Sequence, residues 1–416
     1  MKTKRILALV LAALMIVASF ASCRTKDENA FTFTRGDKTV NIRTALYMCF
    51  LIDADISFQN EATAIADEKE AKYEDYKDLK LDDKDYITWT KDEAKTSAER
   101  YAYAELEFDR LGLEITAEDQ EYIDYYAESQ WNGDSQNAGI SEVYEANGIS
   151  FDTYKSYFAN SYFKQEMVYN FYVEEKENEE DHDHEDGSTH ATTKPLSPEL
   201  EKIHGSLRPD NKEIDSALNK NFVVINHIQV SFYDDEGKEK DESTKKTQLA
   251  LLKDFVKLID EGQDFASVYS KYKVAFGLST ESTKADPSEY EQIVLSAKAN
   301  EVINDNNTAD DLYTDAAKLE NGKATVVETD SSYSLIMRRN IMTEKDADGN
   351  AFKDSYYNYA IRLLVNDEYE ENFVLKTIKE LDCKTNDSAI KFYSADKIDY
   401  LNEETEAAQV ATELAQ

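Results

Sequence analysis

Cations are scarce in this sequence. Forty-seven Lys and Arg face 85 Asp and Glu, which leaves a formal charge of −38 over 416 residues. That balance argues against a nucleic-acid partner and against flat docking on an anionic bilayer, both of which need clustered positive charge. It keeps the body soluble and held away from anionic surfaces. Long apolar runs are scarce too, and beyond the first 22 residues no segment is apolar enough to span a bilayer. Only four prolines occur, and Pro195, Pro198 and Pro209 crowd into one stretch. Cysteine is nearly absent, with Cys23, Cys49 and Cys383 the only three. Cys49 and Cys383 fall in the first and last helical segments. Spacing cannot pair them, and two unpaired buried thiols are expected.

What is present starts with an export signal. Lys2, Lys4 and Arg5 make a positive start, and Ile6 to Val17 is an apolar run too short for a spanning helix. Phe20-Ala21-Ser22-Cys23 then reads as a lipobox. Small residues before a cysteine let a peptidase fit the backbone, and the Cys23 thiolate takes a diacylglyceryl group. Phe20 stands where Leu is usual. Cleavage would leave Cys23 lipidated, with 44 cations against 85 anions, a formal charge of −41. Two or more acyl chains hold such a protein stably at the bilayer. The expected location is extracytoplasmic, anchored to the bacterial cell membrane through Cys23.

The length suggests two or three domains. Residues 176–212 read as an acidic, His-containing linker, because Glu174 to His190 holds almost nothing apolar. His182, His184 and His190 among Asp181, Asp183, Glu185 and Asp186 could hold zinc, nickel or copper loosely; a solvated linker is the plainer expectation, and no metal site is assigned. Residues 23–175 read as helical. Tyr101, Ala104, Phe108 and Leu111 share one face and Gly112 follows as a stop. Thr116 and Asp119 form a capping box that opens a helix through Trp131. Ser150 caps a helix from Phe151 to Val173 whose aromatics, including Tyr154, Tyr157, Phe158 and Tyr162, go all round it. A helix apolar all round is buried or offers a surface to a partner.

After the linker the period changes. Phe222 to Phe232 reads as a strand with Ile228, Val230 and Phe232 on one face and His227, Gln229 and Ser231 on the other. Leu249, Leu252, Val256 and Ile259 make a helix stripe ending at Gly262, and Asp264 caps a second helix through Phe265, Val268, Tyr269 and Tyr272. Ala324 to Glu328 and Tyr333 to Met337 read as strands. Residues 213–341 are thus a compact α+β block. Helix returns from Tyr356 to Leu381 with Ile361, Leu364, Val365 and Phe373 on its apolar side. The block is therefore expected as an insertion, with 23–175 and 342–400 packing as one helical domain ahead of an acidic tail, 401–416.

Ile225-Asn226-His227-Ile228-Gln229-Val230 resembles the first strand of a parvulin-type peptidyl-prolyl isomerase. Leu258 to Ser270 resembles the turn between its first two helices, and Leu319-Glu320-Asn321-Gly322-Lys323 the turn before its last two strands. With helical arms on both sides and a lipobox in front, the layout resembles the PrsA/SurA class of extracytoplasmic foldases. The resemblance implies a chaperone or foldase that takes unfolded or exported polypeptides as partners, without a cofactor. It leaves open a second copy of the chain as a partner. It departs from isomerase-active members in its pocket. Tyr272 to Ser279 lacks the acid or thiol and the Gly-rich stretch that usually follow the second helix. Ala317 stands where an aromatic wall is usual, and Ser334 where a second histidine sits. Only His227 remains of the pocket. Lowering the ~18–20 kcal/mol barrier to rotation about an Xaa-Pro bond needs a dry pocket that favours the twisted amide. His227 is therefore either a remnant catalytic residue or a hydrogen-bonded structural one. The expected client-binding rings are Tyr154, Tyr157, Phe158 and Tyr162.

Overall fold

A computed structural model describes residues 27–69, 71–73, 75–133, 138–174, 196–234, 236–280, 283–296, 309–346 and 349–401. Cys23 with the export signal, the three histidines of the linker and the acidic tail lie outside them. Described residues form two compact units, one from the chain up to Ser206 and from Glu368 onward, the other from Leu207 to Asp367. The inserted unit is wider than the 213–341 block read from the sequence.

The first unit opens with two strands where helix was expected. β1 (Asn29–Arg35) and β2 (Lys38–Arg43) form an antiparallel hairpin with Phe33 opposite Val40. Alternation of Phe31 and Phe33 with threonines is the period-2 signal, and Gly36, at φ +63°, supplies the turn. α1 (Thr44–Glu68) follows directly, with Tyr47, Met48, Cys49, Phe50, Leu51 and Ile52 all buried. α2 (Tyr86–Leu111) is capped by Asp85, which accepts from Thr88 N, and ends at Gly112 in the left-handed region at φ +70°. Tyr101, Ala104, Phe108 and Leu111 are buried on it, as their spacing predicts. α3 (Ala117–Asn132) starts at the Thr116–Asp119 capping box.

The aromatic helix is interrupted. α5 (Phe151–Phe158) and α6 (Gln165–Val173) are joined by one π-turn, Ala159–Lys164, after the short α4 (Ser141–Ala146). A π-turn takes up an extra residue and rotates the apolar stripe. This is why the rings from Phe151 to Tyr172 fit no single face in sequence. Buried Asn160 fills the turn by donating to Tyr101 O (3.2 Å) and Glu105 Oε1 (2.8 Å).

The second unit opens with α7 (Asn211–Asn221) and is built on a four-stranded antiparallel sheet with helices on both faces. Its central strand β3 (Phe222–Ser231) lies between β4 (Glu291–Ser296) and β6 (Ser332–Arg339), with β5 (Ala324–Glu328) beyond β6. One face packs Ile228, Val230, Phe232 and Leu335 on α8 (Glu242–Asp260) and α9 (Phe265–Ala275) through Leu252, Ile259, Phe265 and Val268. The other packs Val223, Ile225, Leu295 and Ile336 on α10 (Ala309–Ala316). Seven consecutive residues of β3, Phe222 to Ile228, are therefore buried. A strand covered on both faces loses the clean alternation expected of it. Strand β4 was not expected from the sequence.

The chain returns through α11 (Tyr357–Tyr369), a second π-turn Glu370–Leu375, and Lys376–Glu380. Ile361 and Val365 are buried as expected, but Leu364 is 44% exposed. Strand β7 (Asp382–Thr385) then joins the outer edge of β1, placing Cys383 opposite Phe33. The two ends of the sequence thus complete one sheet in the order β2-β1-β7. Arg100 adds a two-pronged ion pair to Glu370, the geometry that fixes guanidinium to carboxylate most strongly. Cys383 sits on a strand rather than in a helix; it and the buried Cys49 are both free thiols.

Candidate functional site

His227 lies on the β3 face that meets α10, only 6% exposed. Its Nε2 is 3.1 Å from Ser334 Oγ on β6. Ser334 is the residue at the position where the parvulin resemblance leads to the expectation of a second histidine. The row continues with Gln229 Nε2 donating to Ser332 Oγ (3.2 Å), itself 2.9 Å from Thr329 Oγ1. These are neutral hydrogen bonds along a sheet, worth about 1 kcal/mol each in stability. Ala317, in the wall position, packs against the apolar cluster of α10. The arrangement holds an imidazole in place.

In the first unit, three tyrosine-bound carboxylates sit in the helical core. Glu107, 3% exposed, receives Arg110 Nε (2.9 Å), Arg35 Nη1 (3.2 Å) and the Tyr172 hydroxyl (2.6 Å). Burial pushes its carboxyl up, but the Arg110 and Tyr172 hydrogen bonds and the two guanidinium charges hold it below the usual range. Asp55, 1% exposed, accepts from the hydroxyls of Tyr76, Tyr86 and Tyr400. It ties the chain's C-terminal end to α1. Asp53, part-buried two residues earlier, accepts among the described residues from Tyr157 alone. Burial raises its carboxyl, against a smaller lowering by the Tyr157 hydrogen bond.

The four rings expected to face a partner divide. Tyr154 (3% exposed) and Phe158 (4%) are core residues, and Tyr157 is half-buried with its hydroxyl on Asp53. Burying such rings stabilises the helix pair by about 2–3 kcal/mol each, which removes them from a client surface. Tyr162, carried outward on the π-turn, is 58% exposed with its ring 4.8 Å from that of Phe158. Sequence reasoning missed a second group. On α3 only Ile123, Ala127 and Trp131 turn inward. Tyr122 (54% exposed), Tyr125 (67%) and Tyr126 (42%) therefore stand in solvent, with Tyr126 5.1 Å from each of the other two rings. The signal was available: residues four apart from Trp131 backward trace the buried stripe, and the three tyrosines lie off it.

Two solved structures are similar to this chain. The foldase protein PrsA from Streptococcus pneumoniae str. Canada MDR_19A shares 13% identity over 69% of this chain and 81% of that one, at a TM-score of 0.30. The foldase protein PrsA from Lactococcus lactis shares 11% identity over 88% of this chain and 97% of that one, at 0.33. No family model matches, and no curated protein matches in sequence. Similarity this remote carries no weight for the site, which stands on the chain's own residues. Among the described residues no helix is long and apolar enough to cross a membrane, and no group of three His, Cys, Asp or Glu could hold a metal ion.

Proposed function

We propose that the chain is a lipid-anchored extracytoplasmic chaperone or foldase that binds unfolded exported polypeptides on its helical unit. The supporting observation is the cluster of exposed rings at Tyr122, Tyr125 and Tyr126, with Tyr162 exposed on the neighbouring helix. Tyrosine offers apolar area at low rotamer cost and keeps a hydroxyl in water. It can thus shield apolar segments of a client weakly and reversibly, without ATP. The acidic charge keeps the loaded complex soluble. The lipobox at Cys23 would place this surface where exported chains emerge. Isomerase activity ranks below client binding here, because His227 is buried against Ser334 and Ala317 leaves the proline ring ungripped.

The test is aggregation of a reduced, unfolding client followed by light scattering, with the chain at several-fold molar excess. Suppressed scattering is expected. Equal scattering with and without the chain would overturn the proposal. A proline-limited refolding assay separates the isomerase reading: acceleration lost in His227→Ala would restore it.

A further inference from the structure

Asp53 stands apart from the other buried carboxylates of its unit. It projects from α1 one turn after Cys49, into the rings of the Ser150-capped helix. Burial and the Asp53 charge together push up the hydroxyls of Tyr144, Tyr154, Tyr157 and Tyr162. Tyr157, which donates its hydroxyl to Asp53, belongs to a run of contacting rings: Tyr144–Tyr154 at 5.3 Å, Tyr154–Tyr157 and Tyr154–Phe158 at 6.2 Å, and Phe158–Tyr162 at 4.8 Å. Among the described residues no lysine or arginine pairs with it. Cations of α2, α5 and the π-turn pair with other acids: Arg100 with Glu370, Lys155 with Asp124 (3.4 Å) and Lys164 with Glu105 (2.7 Å).

A carboxylate taken partly out of water, with one hydroxyl donor and no counter-charge, is costly to the fold. A cation brought to it would recover that cost, and phenol faces around it would add cation–π attraction, which strengthens as water is excluded. One side of this arrangement is open: Asp53 is only part-buried, and Tyr162 is 58% exposed. We propose that Asp53 and the rings of Tyr157 and Tyr162 form a subsite for a cationic side chain, Lys or Arg, of a bound polypeptide. This deepens the client-binding reading and rests on it. It gives the helical unit a preference for segments in which a basic residue sits beside apolar ones. The acidity of the whole surface attracts cations diffusely and over a Debye length; the subsite adds a local, geometry-dependent selection.

The experiment uses the full chain and two capped heptapeptides, Ala-Phe-Leu-Lys-Phe-Leu-Ala and its counterpart with norleucine in place of Lys. Fluorescence anisotropy gives both dissociation constants at low and moderate salt. The expected result is about tenfold tighter binding of the Lys peptide, falling to about twofold in Asp53→Asn, with norleucine-peptide binding unchanged. Asn keeps the acceptor for Tyr157 and removes only the charge, and circular dichroism confirms the fold. Asp109→Asn, an exposed acid on α2, controls for net charge and should keep the full preference. Tyr162→Leu should lower the preference by about half while retaining apolar contact. An undiminished Lys preference in Asp53→Asn, or an equal loss in Asp109→Asn, overturns the subsite. Equal binding of the two peptides by the parent chain overturns it while leaving client binding intact. No binding of either peptide overturns both.

Discussion

Glu107 and Asp53 are two carboxylates in the same helical unit, both among tyrosines, and they have opposite electrostatics. Glu107 has two arginines and a hydroxyl on its oxygens. Asp53 has one hydroxyl. The first is held below the ordinary carboxylate range, the second above it. The neutralised group works as a joint between β1, α2 and α6, since Arg35, Arg110 and Tyr172 come from these elements. The other has no cation on it among the described residues, and it contributes less to the fold. Asp55 accepts from three hydroxyls, and no cation pairs with it among the described residues.

Removing the joint should have the largest effect. Glu107→Ala leaves two guanidinium groups and a buried phenol without their acceptor, and should cost about 3 kcal/mol in urea unfolding. A loss under about 1 kcal/mol would show that Glu107 is no more structural than Asp53. His227→Ala, in the inserted unit, opens a small cavity and strips Ser334 of a partner. It should cost about 2 kcal/mol and leave client binding unchanged; a matching loss of binding would move the site to the sheet. Tyr400→Phe removes one of three donors to Asp55 and should cost about 1 kcal/mol.

The smallest change separates the two carboxylates most clearly. A carboxyl raised in the folded state binds its proton more tightly there, so the stability linked to it is lost as pH rises through the elevated value. Asp53→Asn should therefore stabilise the chain near pH 7, by up to about 1 kcal/mol, and the gain should shrink toward pH 3. Glu107 has the reverse sign. Its stabilisation is present above the ordinary Glu value and disappears as pH falls through the depressed one, so Glu107→Gln should lose most near pH 7. Thermal melts of both variants across pH 3–8 read the two slopes. Parallel slopes would erase the contrast.

Much of the fold was legible in the sequence. Caps at Thr116, Ser150 and Asp264, and stops at Gly112 and Gly262, follow from side-chain chemistry within a few residues, and local rules find them. The closure of one unit by both chain ends was read from the return of helical period after the strand-bearing block. Three things were not legible. β7 adds to β1 across about 350 residues of sequence, and four residues of Asp-Cys-Lys-Thr carry no strand pattern that announces their partner. The π-turn at Ala159–Lys164 rotates the aromatic stripe, so a search at fixed helical period assigned Tyr154 and Phe158 outward when they turn in. Tyr122, Tyr125 and Tyr126 were passed over because a tyrosine run reads as core until the buried stripe on that helix is identified.

Equilibrium binding of a reduced, carboxymethylated globular protein to the triple variant Tyr122→Ser, Tyr125→Ser, Tyr126→Ser tests the client surface most directly. These rings are exposed, so the melting temperature should stay within about 2 °C of the parent, while the dissociation constant rises about tenfold or more. An unchanged dissociation constant with an intact fold would contradict the account.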